Sequence, residues 1–275
     1  MNIDAHQHFW KYTPAEYGWI GEEMSLLRRD FLPTDLRPNL AAAGIDGSIA
    51  VQARQIARET AWLLDLARQA DEIRGVVGWI PLASADVRGE LERFAADPLL
   101  KGVRHVVQDE PDENFILRED FNRGVAMLRE FRLVYDILIF ERHLPRAVAF
   151  VDRHPQQVFV LDHLAKPRIR EGEMEPWRRN LFALAERENV YCKLSGLVTE
   201  ADVQKPSYAS LQPYMETVLE AFGPGRLMFG SDWPVCLHAC PYATWLTWVR
   251  EFIASLSPHE QARILGDTAA EAYNL

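Results

Sequence analysis

Seven short, almost continuously apolar runs follow an opening strand-like stretch at residues 2–10. They lie at residues 47–53, 73–80, 100–107, 133–140, 158–163, 190–196 and 226–232. Between and after them come stretches with apolar residues at helical intervals, at 34–43, 59–70, 86–96, 122–131, 144–153, 177–187, 208–222, 242–255 and 258–273. A strand that is apolar on both faces must be covered on both, and helices flanking a parallel sheet provide that cover. Eight such repeats, without a linker or a break in composition, predict an α/β protein: a (β/α)8 TIM barrel forming a single domain over residues 1–275. An open, doubly wound sheet is the alternative, but no glycine-rich phosphate loop follows any of the runs.

Two local signals refine this frame. Thr34 is expected to cap the first helix and Gly44 to close it. Residues 11–31 contain Tyr12, Tyr17, Trp19 and Met24 without a clean period, so a long loop is expected there, placed to cover a site at the end of the first strand.

A barrel of this kind carries its chemistry at the C-terminal ends of its strands. The polar residues on or beside those ends are Asp4, His6 and His8 on the first strand and Lys101, Arg104 and His105 on the fourth. Asp136 lies on the fifth, His163 on the sixth, Lys193 and Ser195 on the seventh, and Asp232 and Trp233 on the eighth. Alternation along a strand would put Asp4, His6 and His8 on one face, converging two imidazoles. The same alternation puts Lys101 and His105 on one face and Arg104 on the other. We therefore expect Lys101 and His105 nearer a substrate, with Arg104 pairing with an acidic neighbour or entering where the strand frays. The competing readings are an exposed decorated strand for the histidines, a helix cap for Asp232 and ordinary ion pairs for the basic residues.

Taken together, several motifs resemble the amidohydrolase superfamily: Asp4-Ala5-His6-Gln7-His8, Leu161-Asp162-His163-Leu164-Ala165-Lys166-Pro167 and Phe229-Gly230-Ser231-Asp232-Trp233-Pro234. With Lys101-Gly102-Val103-Arg104-His105, Tyr191-Cys192-Lys193-Leu194-Ser195-Gly196 and Gly266-Asp267-Thr268-Ala269-Ala270-Glu271-Ala272-Tyr273, the chain resembles more closely the sugar-lactonase branch that includes L-fuconolactonases and L-rhamnono-lactonases.

The resemblance implies hydrolysis of an aldonolactone, most simply L-fuconolactone, with Asp232 taking a proton from the attacking water. His6, His8 and His163 are implied either as ligands, with Asp232, of one divalent ion such as Zn2+, or as hydrogen-bond donors to the carbonyl oxygen without a metal. Strand 4 offers no bridging carboxylate and strand 5 has Asp136 where a histidine is often found, so two metals are not expected. No organic cofactor is implied. Lys101, Arg104, His105 and Lys193 would supply donors to the sugar or the oxyanion, while Trp10, Trp233 and Trp19 could form an apolar wall or pack in the core. Asp4 is expected to support the histidines from behind. Rival readings are a metal-dependent decarboxylase on the same barrel and a non-catalytic carbohydrate-binding barrel.

Composition narrows the partners. A formal charge of -10 opposes sequence-independent binding to nucleic acid or anionic membrane, which needs a positive surface. Three cysteines and no basic, apolar leader at the N-terminus suggest a cytoplasmic setting. Cys236 and Cys240 lack partners at zinc-finger spacing and are expected to pack. Ser195 lacks the G-x-S-x-G elbow of a serine nucleophile. A small-molecule sugar lactone is the expected partner, and the oligomeric state stays open.

Overall fold

The computed structural model describes residues 1–275. In chain order the elements are β1 (Ile3–Gln7), α1 (Pro33–Ala43), β2 (Gly47–Val51), α2 (Ala57–Gln69), β3 (Ile73–Gly78), α3 (Val87–Ala95), β4 (Leu100–Val106) and α4 (Glu119–Leu128). They continue with β5 (Val134–Leu138), α5 (Leu144–Asp152), β6 (Phe159–Leu161), α6 (Trp177–Ala185), β7 (Val190–Leu194), the single-turn α7 (Leu197–Glu200) and α8 (Tyr208–Phe222). The last are β8 (Leu227–Phe229), α9 (Tyr242–Ile253), α10 (Pro258–Ala262) and α11 (Thr268–Tyr273). The strands pair in parallel, in sequence order. The ring closes where Asp232 N–H donates to the His6 carbonyl at 2.8 Å and His8 N–H to the Trp233 carbonyl at 2.7 Å. This is the expected (β/α)8 barrel. No helix is long and apolar enough to cross a membrane.

The barrel interior is layered. Ile3, Ala5, Ile49, Val51, Val77, Val134, Val160 and Met228 form an apolar lower layer, closed by Ala269 and Tyr273 of α11. Alternate residues of the same strands, such as Ala50, Val76, Tyr135 and Phe159, belong to the larger core between sheet and helices. Burial on both faces is thus what made the runs continuously apolar.

Several boundaries differ from the pattern read in the sequence. Leu32, not Thr34, precedes α1, whose start is fixed by Asp35 accepting the Leu32 N–H at 2.9 Å; Gly44 closes the helix at φ 64°. The C-terminal stretch is not one helix. A π turn at Arg263–Asp267 separates α10 from α11, because the backbone must approach β1: a Cβ on Gly266 would lie 1.9 Å from the Met1 carbonyl oxygen.

Strands 6 and 8 are also shorter than their apolar runs, ending at Leu161 and Phe229. Beyond Leu161 the chain enters a left-handed turn in which His163, Leu164, Ala165 and Lys166 all have positive φ, between 52° and 59°. Each such non-glycine residue costs about 1–2 kcal/mol. A conformation this unfavourable persists only where the surroundings impose it, and here it sets His163 at the barrel mouth.

Candidate active site

Above the apolar layer sits a fully buried charged layer. Lys193 lies between two carboxylates, hydrogen-bonded to Asp136 Oδ2 and 3.0 Å from Asp162 Oδ1. Arg104 donates to Asp162 Oδ2 at 2.9 Å and to the carbonyl and side-chain oxygens of Gln52. From below, the Tyr273 hydroxyl reaches Asp136 at 2.8 Å. Two cations thus face two anions, so no charge in this layer is left uncompensated. Burial pushes the Asp136 carboxyl up to about 6, against the pull of Lys193. Asp162 goes the other way: burial would raise it, but Lys193, His6 and Arg104 hold it well below the usual carboxylate range.

His6 stands on this platform, with Nδ1 3.3 Å from Asp162 Oδ1 and 3.3 Å from Lys193 Nζ. An ammonium can only donate and an ionised carboxylate can only accept, so Nδ1 can take a hydrogen from Lys193 or give one to Asp162; the Arg104 guanidinium, a donor 3.4 Å from Nε2, selects the tautomer with the proton on Nδ1 and the lone pair on Nε2. His8 is oriented in the same sense: its Nδ1 is 2.8 Å from the Val51 carbonyl, an acceptor, so Nδ1 carries the proton and Nε2 is bare. The two Nε2 atoms lie 3.1 Å apart. Asp232 Oδ1 is 3.3 Å from His8 Nε2 and 3.7 Å from His6 Nε2. Burial would raise the Asp232 carboxyl, yet the imidazoles of His163, His8 and His6 around it hold it well below the usual range.

His163 completes the ring of imidazoles. Its ring centroid is 4.5 Å from that of His6, and its Nδ1 is 2.8 Å from the Ser195 hydroxyl. Burial, opposed by Asp232 and Asp162, lowers it to about 4, so it is neutral at pH 7. Gly196 makes room for it: its φ is +71°, and a Cβ there would lie 2.5 Å from His163 Nδ1.

The set His6, His8 and Asp232 brings three donor atoms within 4.8 Å of one another, and His6, Asp162 and His163 form a second such group. The first suits a divalent cation better. Two imidazole nitrogens with lone pairs and an ionised carboxylate converge there, whereas Asp162 is already engaged by Lys193 and Arg104. This chemistry of the donor set fits one divalent ion.

A cavity of about 440 Å³ opens over the group, lined by His8, His163, Asp232 and Arg104 and, on its outer wall, by Glu16, Trp19 and Arg54 among others. That volume lies in the range of small-molecule sites.

Some residues expected to face a substrate lie elsewhere. Along β4 the alternation holds from Gly102 to Val106, which pair in unbroken register with β5, but the inward face is that of Arg104 and not that of Lys101 and His105. Lys101 lies at the far, N-terminal end of the barrel, its amine donating to the Asn274 carbonyl at 2.8 Å. His105 faces the helical layer, stacked on Phe115 and 2.6 Å from Glu110. Arg104 is the residue that turns inward and pairs with an acidic neighbour. Lys193 is inside the barrel but beneath His6, away from the cavity wall.

Another register shift, between Asp4 and Gln7, separates Asp4 from the two histidines. Asp4 therefore sits behind β1, accepting from the backbone N–H groups of Ser231 and His6 at 2.8 and 3.2 Å. Trp10 and Trp233 are buried, each edge-on to Phe31, and hold residues 11–31 onto the barrel rather than lining the cavity; Trp19, 44% exposed, does line it. Cys192, Cys236 and Cys240 are free and buried. Asp162 and Gln52 were not singled out from the sequence. Asp162 could have been, because it directly precedes His163 in a shared motif.

Comparison with known proteins adds to this geometry. The sequence model of the family described as "Amidohydrolase" matches residues 3–275. An L-fucono-1,5-lactonase from Burkholderia multivorans is 44% identical over all of this chain and 96% of its own length. A second L-fucono-1,5-lactonase, from Burkholderia ambifaria, is 37% identical over the whole chain and 96% of its length. The crystal structure of an amidohydrolase from Burkholderia multivorans with bound zinc superposes with a TM-score of 0.96 at 44% identity, covering 100% of this chain and 99% of that one.

Proposed function

The chain belongs to the amidohydrolase family, and we propose that it hydrolyses a six-carbon aldono-1,5-lactone, L-fucono-1,5-lactone, to the open aldonic acid. The observation that carries the reading is the Asp232 carboxylate set against the Nε2 atoms of His6 and His8 beside a cavity large enough for a small molecule such as a sugar lactone. Two full-length relatives named L-fucono-1,5-lactonase support this reaction over decarboxylation or carbohydrate binding without turnover.

Asp232, ionised at neutral pH, accepts a proton from water as its oxygen attacks the lactone carbonyl. The carbonyl oxygen gains negative charge, and the Arg104 guanidinium on the cavity wall, fixed by Asp162 and Gln52, supplies preorganised positive charge for it. As the tetrahedral intermediate collapses, the bond from the carbonyl carbon to the ring oxygen breaks. Asp232 returns its proton to that oxygen, giving the hydroxyl of the open acid. His163, neutral and held by Ser195, lines the same cavity as a hydrogen-bonding group.

His6, His8 and Asp232, with His163 alongside, would hold one divalent ion, zinc on our reading. When bound it supplies Lewis acidity to the carbonyl and to water.

Acid release from a panel of 1,4- and 1,5-lactones by the purified protein tests the proposal. Turnover of 1,5-lactones, with L-fucono-1,5-lactone among the best, is expected; no acid from any lactone contradicts it.

A further inference from the structure

The outer wall of the cavity contains a cation that the hydrolytic steps do not use. Arg54 follows β2, and three groups fix its guanidinium. Nε donates to Glu59 Oε1 at 3.3 Å, one terminal nitrogen is 2.8 Å from Glu16 Oε1, and Cζ sits 4.9 Å from the Tyr17 ring centroid. Glu59 is itself fully buried and also accepts from the backbone N–H groups of Ala53 and Arg54 at 3.0 and 2.8 Å, so the whole β2 turn is tied to α2. Arg58 bridges to Glu16 as well, at 2.7 Å, fastening residues 11–31 to this wall.

The second terminal amino group of Arg54 has no acceptor within the protein, yet Arg54 lines the same cavity as His8, His163 and Asp232. An arginine held on three sides loses little further freedom when its remaining amino group binds something. Glu16 and Glu59 also neutralise its charge, which suits a neutral hydroxyl oxygen better than a carboxylate.

We propose that Arg54 is a specificity-determining residue that donates a hydrogen bond to a ring hydroxyl of the sugar lactone. This rests on the lactonase reading of the site. Arg54 thus distinguishes a polyhydroxylated lactone from a plain one, and Glu16 is the positioning residue that holds it in place.

The test compares wild type with Arg54→Gln on the 1,5-lactone that the enzyme hydrolyses best and on its 2-, 3- and 4-deoxy analogues. In wild type, removal of the hydroxyl that Arg54 reads is expected to lower kcat/KM about 10- to 100-fold, because the amino group is then left without a partner. In Arg54→Gln the same deoxygenation should cost less than about 3-fold, the coupling that marks a direct contact. If Arg54→Gln instead slows all four lactones by one common factor, Arg54 only supports the fold and the inference is overturned. Arg54→Lys, which keeps the charge but not the fork, allows the same comparison should the glutamine variant fail to fold. Absence of turnover on every lactone, by wild type as well, would overturn the lactonase reading and this inference with it, a result distinct from uniform slowing.

Discussion

The Nε2 atoms of His6 and His8 face each other at 3.1 Å, each imidazole having committed its other nitrogen elsewhere, to Asp162 and to the Val51 carbonyl. Two lone pairs at that distance repel unless a proton or cation is shared; Arg104 Nη1 reaches the His6 nitrogen at 3.4 Å, and Asp232 stands beside both. From this arrangement we expect about one divalent ion per chain in the purified protein. Elemental analysis should show the ion lost in His8→Ala and kept in His105→Ala, whose ring faces the helical layer. Equal metal content in both variants would place the ion elsewhere.

Gly196→Ala should impair the site while leaving the barrel folded. The added Cβ meets the His163 ring at 2.5 Å and occupies a backbone conformation that alanine resists. A fall in kcat/KM of about 10-fold or more is expected from displacing a residue of the site, with circular dichroism unchanged. Wild-type activity in this variant would show that the position of His163 is not critical.

The two lysines considered for substrate contact should behave in opposite ways. Lys193→Met leaves Asp136 and Asp162 buried without their shared cation, a loss of about 3–5 kcal/mol that denaturant titration would register. Lys101→Ala removes only a hydrogen bond to the Asn274 carbonyl at the other end of the barrel, so stability should fall by about 1 kcal/mol and kcat/KM should not change. Comparable loss of activity in Lys101→Ala would contradict its placement.

His105 makes a pH-dependent contribution to stability. Burial lowers its pKa below the ordinary 6.5 despite the pull of Glu110. A histidine whose folded-state pKa is depressed contributes stability that is present above pH 6.5 and is lost as the pH falls through the folded value, because the unfolded chain takes up the proton first. Replacing it with glutamine should therefore shrink the drop in Tm between pH 7.5 and 5.5, measured by scanning calorimetry. An unchanged drop would mean that His105 is not held neutral.

Much of the fold was legible because the barrel writes itself repeatedly: eight runs buried on both faces leave a signal that no single misjudged boundary can erase. The candidate site was legible where short motifs end a strand, as at His6, His8, His163 and Asp232. It was illegible where alternation fails or leaves the inward face undecided. The register shift along β1 puts Asp4 behind the sheet, whereas on β4 alternation separates Arg104 from His105 without saying which of them faces inward, and Lys101 belongs to the strand's N-terminal end. The left-handed turn after Leu161, built from ordinary residues, has no glycine to announce it. Arg54, Glu16 and Gln52 meet the site only through tertiary contacts with segments distant in sequence, and no local spacing marks them.

The most direct test is the rate of acid release from L-fucono-1,5-lactone at neutral pH by wild type and by Asp232→Asn, each loaded with the same metal content. An asparagine keeps the shape of the side chain and removes the base. Ready turnover by wild type is expected, with a kcat lower by about 10²- to 10⁴-fold in the variant and KM little changed. Equal rates for the two proteins would contradict the role of Asp232, and no acid release by wild type would contradict lactone hydrolysis itself.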